Sequence, residues 1–187
     1  MRLITLFAAL LTLTGCALSP QTVTIDPTLA SAQKAFANGQ PVDLRVVDAR
    51  PGVEIGTRGG VYRQSSQILA ANDVADAVRT RAVEGLRARG YSLGESTATA
   101  QIRLSIEQID YVVPPGTVAT SADITAVLKA SVDNAGEKFE TTYRSTVNRK
   151  FPVPPTATQN AAWINEVLGD TLQRFLDDPR IHGAIAR

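Results

Sequence analysis

Between residues 100 and 151, apolar and polar residues alternate over an unusually long stretch. Successive side chains of a β-strand point to opposite faces of a sheet, so this alternation predicts strands with one buried face. The apolar series Ile102, Leu104, Ile106 continues as Ile109, Tyr111, Val113 in the opposite phase. That shift of one residue near Glu107-Gln108 predicts a β-bulge.

Two further strands follow within the same stretch, separated by a turn at residues 133–136. Their apolar or small positions are Ala122, Ile124, Ala126, Leu128, Ala130 and Val132, then Phe139, Thr141, Tyr143, Ser145 and Val147. The alternate positions are polar and of mixed charge, with Arg103, Asp123, Lys129, Glu140 and Arg144 among them. A sheet with one apolar face is expected to be covered on that side only.

Two helices are predicted to form the cover. The first occupies residues 72–89, with Asn72 as N-cap and Gly90 just beyond its end. The second occupies residues 158–176 and ends before Asp178-Pro179, leaving residues 180–187 for at most a last turn. Their apolar stripes are Val74, Val78, Ala82 and Leu86, and Ala161, Ile164, Val167, Leu168, Leu172 and Leu176.

A shorter alternating segment at residues 42–48 predicts a strand before the first helix. The predicted order is therefore β-α-β-β-β-α, an α+β fold in two layers. We expect a mostly antiparallel four-stranded sheet with two helices on one face, its first strand joined in parallel by a right-handed crossover. Residues 41–187 are predicted to form this single domain.

The first sixteen residues predict export and lipidation. Arg2 precedes an uncharged apolar run that is too short to span a bilayer, as in a secretory signal peptide. Leu13-Thr14-Gly15-Cys16 resembles a bacterial lipobox, which predicts cleavage after residue 15 and lipidation of Cys16. The alternative is an ordinary signal peptide followed by a stray thiol. Two or three acyl chains, such as palmitate, are expected to anchor a protein effectively permanently.

Residues 16–40 are predicted to form the lipidated N-terminus and a tether. They are rich in Ser, Thr, Gln, Ala and Pro, and a short helix is expected between Asp26-Pro27 and Gly39. As a flexible coil the tether would reach roughly 25–30 Å, which places the domain in the periplasm. Ala17 stands where an Asp would favour retention in the inner membrane, so we expect the outer membrane.

The charge balance argues against broad nucleic-acid binding, and the cysteine content argues against a disulfide. The chain has 19 Lys and Arg against 18 Asp and Glu, and loss of Arg2 with the signal peptide makes the two equal. A neutral domain has no electrostatic basis for broad nucleic-acid binding. Because Cys16 is the only cysteine, the core is expected to be stable without a disulfide.

No catalytic residue, metal site or cofactor is predicted. His182 is the only histidine and lies near a C-terminus that we expect to fray, so a surface or capping role is favoured over a catalytic base. A zinc site would have to consist mostly of carboxylates. Asp177 and Asp178 are adjacent acids at a helix end, which are usually solvated.

The long Gly- and Arg-rich segment at residues 49–67 is the candidate binding loop. The candidate residues for binding a carboxylate or phosphate of an envelope compound are Arg50, Arg58 and Arg63. The favoured alternative is an ordinary solvated loop that uses glycine for its turns.

Several segments together resemble one lipoprotein family. They are the lipobox, Asp48-Ala49-Arg50-Pro51, Ile55-Gly56-Thr57-Arg58, Arg89-Gly90-Tyr91, and a helix with Asn160, Ile164-Asn165 and Asp170. In this order and spacing they resemble the YajG family of Gram-negative outer-membrane lipoproteins, over nearly the whole chain. The resemblance implies no catalytic residue, and Cys16 is the only site residue that it transfers.

Three functions follow as hypotheses. The first is a non-enzymatic, lipid-anchored outer-membrane lipoprotein that acts as a periplasmic interaction or ligand-binding module for an envelope protein or glycan. The second is an auxiliary lipoprotein of an ABC-type envelope transport system, which would engage its partner through an apolar groove or an exposed sheet edge. The third is an envelope hydrolase, for which the sequence offers no evident catalytic base.

Overall fold

The computed structural model describes residues 19–32, 34–60, 63–94, 98, 100–114 and 120–187. The predicted signal peptide, Cys16 and Ala17 lie outside these residues, so the predictions about them stay predictions. Within the described residues the chain forms eight strands and three α-helices.

The strands are β1 (Gln21–Val23), β2 (Gln40–Asp48), β3 (Glu54–Thr57), β4 (Gln67–Ala70), β5 (Tyr91–Leu93), β6 (Ala100–Val112), β7 (Ser121–Asn134) and β8 (Glu137–Lys150). The helices are α1 (Val74–Ala88), α2 (Ala157–Leu176) and α3 (Pro179–Ile185).

All eight strands belong to one mixed sheet. β6, β7 and β8 form an antiparallel meander, and β2 and β3 lie one after the other along the opposite edge of β6, both parallel to it. β4 pairs antiparallel with β3, β1 pairs parallel with β4, and β5 pairs parallel with β2. The long strand β6 is therefore the centre of the sheet.

The predicted mostly antiparallel four-stranded sheet with two helices is wrong. The sheet has eight strands, and four of its seven pairings are parallel. The unpredicted strands β1, β3, β4 and β5 have three or four residues each, too few to show an alternating pattern. The third helix, α3, begins after Asp178, whose side chain accepts a hydrogen bond from the Arg180 amide.

The predicted bulge and burial pattern of β6 are confirmed. Its register against β7 shifts between Ile106 and Gln108, and the residues on either side are buried in opposite phase. The β7–β8 connection is a two-residue turn, Ala135-Gly136, with φ of 53° and 91°. These values fit the type I′ turn that matches the twist of paired strands.

The helices lie where the apolar face of the sheet requires cover. α1 packs against β2 and β5, and α2 packs against β7 and β8. The N-cap of α1 is Asp73 rather than the predicted Asn72, and Thr156 and Gln159 form a capping box at the start of α2. None of the helices in the described part of the chain has the length and apolarity needed to cross a bilayer.

The N-terminal segment is part of the domain rather than a free tether over its described residues. Val23 and Ile25 are each 1% exposed, and β1 is a strand of the sheet. The Asn72 side chain exchanges two hydrogen bonds of 2.8 and 2.9 Å with the main chain of Ile25. The Asn165 amide bonds the main chain at residues 24 and 26 in the same way. The expected helix after Asp26-Pro27 does not form in the described residues.

Candidate functional site

The three predicted arginines each have a different partner within the chain. Arg50 bonds both carboxylate oxygens of Asp48, at 2.8 and 2.7 Å, immediately after β2. Arg63 is exposed and lies between β3 and β4, and it donates to Glu54, the first residue of β3, at 3.0 Å. These are two separate ion pairs rather than a shared fork.

Arg58 is held by main-chain oxygens. Its guanidinium donates to the carbonyls of Ser19 and Ser65. Its Nε and the hydroxyl of Tyr111 are buried, and neither has a hydrogen-bond partner among the described residues. Burial lowers the pKa of Arg58 and raises the pKa of Tyr111 to about 12.

The three arginines also do not share a cavity beside the loop. Arg63 lines a cavity of about 450 Å³ with Glu54 and Tyr111, while Arg50 lines another of about 320 Å³ with Glu107. Arg58 lines neither of them. Ligand binding by these arginines stays a prediction, and the structure does not bring the three onto one ligand.

A second group of polar side chains surrounds the α2–α3 connection, which we call the C-terminal joint (Leu176–His182 with Arg89, Tyr91 and Tyr143). Arg89 is only 1% exposed. It donates to Asp177 from Nε at 3.0 Å and Nη2 at 2.5 Å, and to the Gly85 carbonyl from Nη1 at 2.9 Å. Burial raises the pKa of Asp177, but hydrogen bonds from Gln173 and Arg89 outweigh it and lower the value overall.

Asp178 is the next residue of the joint and is 8% exposed. It accepts a hydrogen bond from the Tyr143 hydroxyl at 2.7 Å and pairs with Arg180 at 2.7 Å. These interactions, with Arg180 contributing most, lower the pKa of Asp178 to about 2. Asp178 is therefore buried rather than solvated, whereas Asp177 is exposed as expected and also pairs with the buried Arg89.

His182 lies inside the joint and not on a frayed end, which corrects the prediction. It is 6% exposed, and its ring stacks on Phe36 with centroids 3.7 Å apart. Nε2 lies 2.8 Å from the Leu176 carbonyl, which can only accept, so Nε2 carries the proton and Nδ1 accepts from Tyr91 at 2.7 Å. Burial lowers the pKa of His182. Both nitrogens of the only histidine are thus committed to holding the fold.

A third feature is the free edge of β8. Among the described residues this strand pairs only with β7, so it ends the sheet with fourteen residues of edge. Its outward positions Lys138, Glu140, Thr142, Arg144, Thr146, Asn148 and Lys150 are all exposed. We call this edge with these side chains the β8 surface. Long open edges are uncommon, because unpaired main-chain groups there can accept another strand.

The described residues place no three His, Cys, Asp or Glu side chains close enough together to hold a metal ion.

Comparison with known proteins identifies the family. A model described as "Uncharacterized lipoprotein" matches residues 27–186. Lipoprotein YajG of Escherichia coli K12 is 28% identical over 181 residues, which cover 93% of this chain and 91% of that protein. The chain belongs to the YajG family of lipoproteins. YajG of Escherichia coli O6:H1 matches to the same extent.

A solved structure shares the YajG-family fold of this chain. Protein XCC0632 from Xanthomonas campestris superimposes with a TM-score of 0.55, at 13% identity, over 89% of this chain and 95% of that one. At this identity the likeness shows the fold alone.

One of the segments that resembled the family proves to consist of packing residues. In Arg89-Gly90-Tyr91, the outer two residues bind Asp177 and His182. Gly90 has a φ of +93°, and a Cβ there would lie 2.0 Å from the Ala37 carbonyl oxygen. No sequence motif indicated the joint as a unit, because its members are far apart in the chain. Arg89-Gly90-Tyr91 was the segment in the sequence that could have pointed to the joint.

Proposed function

We propose that this YajG-family lipoprotein is a non-enzymatic interaction module, anchored through Cys16 to the periplasmic face of the outer membrane. It engages a partner protein through the β8 surface. The anchor supplies the location and the edge of the sheet supplies the contact.

The observation that supports this proposal is the length and openness of β8. An exposed strand recognises a partner by adding a strand to the sheet, which gives affinity through main-chain hydrogen bonds and specificity through alternate side chains. β8 offers alternate side chains of both charges beside its free main-chain groups.

The state of the titratable groups also favours binding over catalysis. A general base needs a free lone pair within reach of substrate. His182 uses its Nδ1 lone pair on the Tyr91 hydroxyl, and Asp177 and Asp178 are held by Arg89 and Arg180. The C-terminal joint stabilises the fold on which β8 is presented.

The contact is tested by placing a photo-crosslinking residue at Thr142 in the full chain in living cells. We expect adducts of discrete mass after irradiation. The matched control is the same residue at Arg87, an exposed position on α1. Equal labelling from both positions, or none from Thr142, would contradict the proposed surface. An adduct containing a permease or substrate-binding subunit would favour the transport auxiliary instead.

The anchor is tested separately with Cys16→Ser. We expect the variant to leave the membrane fraction, because it has no thiol to acylate. Continued fractionation with the outer membrane would show that Cys16 is not the anchor.

A further inference from the structure

We infer that the strand added to β8 is the β8 strand of a second copy of this chain, paired antiparallel about a two-fold axis through Thr142. The inference rests on the proposed function and names the occupant of the same surface. It follows from the direction of the main-chain groups and from the positions of two charges.

The hairpin turn fixes which main-chain groups face outward. A two-residue turn is closed by a hydrogen-bonded pair, here Asn134 and Glu137, and hydrogen-bonded pairs recur at every second position. At the other end of the ladder the Phe151 amide donates to Thr120 at 2.8 Å, as this alternation requires. The even-numbered residues of β8 therefore direct their N–H and C=O groups to the free edge.

Those residues also carry the exposed side chains. Two β8 strands that pair through their outward groups therefore meet even position to even position, and the exposed face of one continues into the exposed face of the other. With the axis at Thr142, residues 137–147 of one copy lie opposite residues 147–137 of the second. Both apolar faces then stay on the helix-covered side.

This register opposes unlike charges at two equivalent places. Glu140 of each copy lies opposite Arg144 of the other, and Lys138 lies opposite the neutral Thr146. Opposed unlike charges stabilise an antiparallel pair, whereas like charges destabilise it. Arg144 is free for this contact, since it is exposed and forms no ion pair or hydrogen bond within the described chain.

Neighbouring registers are less favourable. An axis at Glu140 places two carboxylates together, and an axis at Arg144 opposes two guanidinium groups and sets Lys138 against Lys150. An axis at Ser145 pairs Glu140 with Lys150, but it also makes the two Arg144 side chains diagonal neighbours. An axis at Thr141 sets Lys138 against Arg144, and an axis at Tyr143 opposes no unlike charges among the outward positions. Among these registers the charge pattern of β8 selects the Thr142 axis.

Charge reversal tests both the dimer and its register. The lipidated full chain, purified in detergent, is expected to have the protein mass of a dimer by light scattering after the micelle is subtracted. R144E places Glu opposite Glu140 at both sites and is expected to weaken association by about tenfold or more. E140R is expected to do the same by opposing two arginines.

The decisive sample is an equimolar mixture of R144E and E140R. One chain then has Glu at both positions and the other has Arg at both, so we expect a heterodimer with affinity close to that of the wild type. E140R also loses the 2.9 Å ion pair with Lys129, and R144E keeps it, so agreement between the two excludes that loss as the cause. The matched control is R103E, an exposed reversal on β6 that should leave the dimer intact.

A monomeric wild-type chain would overturn the inference, as would a dimer unaffected by R144E. Crosslinking at Thr142 separates this failure from failure of the proposed function. An adduct of two identical chains supports the second copy. An adduct with another protein overturns the second copy but leaves the β8 surface in place as the interaction site.

Discussion

The C-terminal joint and the candidate binding loop (residues 49–67) each contain an arginine paired with a carboxylate. The pair in the joint has a buried arginine, and the pair in the loop, between β3 and β4, has an exposed one. Arg89 is 1% exposed in the joint, whereas the Arg63 side chain is 78% exposed in the loop. The pairs have similar distances, 2.5 and 3.0 Å. The free-energy cost of losing one partner differs between them, because a buried charge left without its partner is costly, whereas an exposed charge is solvated by water.

The comparison separates residues that hold the fold from residues available for binding. In the joint, polar side chains satisfy one another in separate pairs, Arg89 with Asp177 and Tyr91 with His182. At the loop, a guanidinium can exchange its partner for solvent or ligand at little cost. Substitutions that remove one partner from each pair test this difference.

The largest expected effect is that of Asp177→Ala. It leaves the buried Arg89 guanidinium with only the Gly85 carbonyl, and we expect a loss of about 3 kcal/mol in the free energy of unfolding. This is at the low end for a broken buried pair, because the Asp177 side chain is 44% exposed. Urea unfolding measures it as a lower midpoint. A loss under about 1 kcal/mol would mean that the joint behaves like the loop.

The next effect is that of Tyr143→Phe, which removes a hydrogen bond to the carboxylate of Asp178. We expect a loss of about 1.5 kcal/mol at pH 6. Asp178 is held ionised in the folded state, so this bond stabilises above the ordinary pKa of 3.8 and weakens as pH falls toward about 2. Urea midpoints at pH 6 and pH 2.5 measure both predictions. A difference that does not shrink at the lower pH would contradict the charged acceptor.

A smaller effect is expected from protonation of His182. Burial lowers its pKa in the folded state, so the unfolded chain binds the proton more readily and stability decreases as pH falls below the ordinary value of 6.5. This contribution is fully present well above pH 6.5, and urea midpoints measured between pH 7.5 and 5.5 should show its progressive loss. His182→Gln should flatten this part of the pH profile. Four acids have their pKa lowered by hydrogen bonds from arginine and, at Asp177, from Gln173, which outweigh the opposite effect of burial, so they titrate below this window.

The smallest effect is that of Arg63→Ala in the loop. Removal of an exposed ion pair is expected to change the free energy of unfolding by less than about 0.5 kcal/mol. The same urea series provides the measurement, with Asp177→Ala as its counterpart in the joint. A loss above about 1.5 kcal/mol would make Arg63 structural and remove it from the candidate binding residues.

The sequence predicted those parts of the fold whose signal is local. β6, β7 and β8 are long enough for alternation to show, and even the bulge near Gln108 could be inferred from one shift of phase. α1 and α2 were found from their apolar spacing and their ends, whereas α3 was not predicted. β1, β3, β4 and β5 were missed because each is defined by a neighbouring strand rather than by its own residues.

The candidate sites show the same division. The loop was located by its composition, but the partners of Arg50, Arg58 and Arg63 depend on where β3, β4 and the N-terminal segment lie. The charges of β8 could be read in the sequence, yet its position at the edge of the sheet follows from topology alone. His182 was misplaced because burial of the C-terminus depends on contacts with Phe36 and Tyr91.

Docking of the N-terminal segment has a consequence for the height of the domain above the bilayer. Cys16, the proposed anchor, is separated by five peptide steps from Gln21, the first residue of the sheet. Fully extended, that distance is about 17 Å, well below the 25–30 Å reach of the tether that composition suggested. Molecules held so close to one leaflet diffuse in a thin layer at a common level. Their collisions are then confined to two dimensions, where even a weak contact between copies is populated at modest surface density.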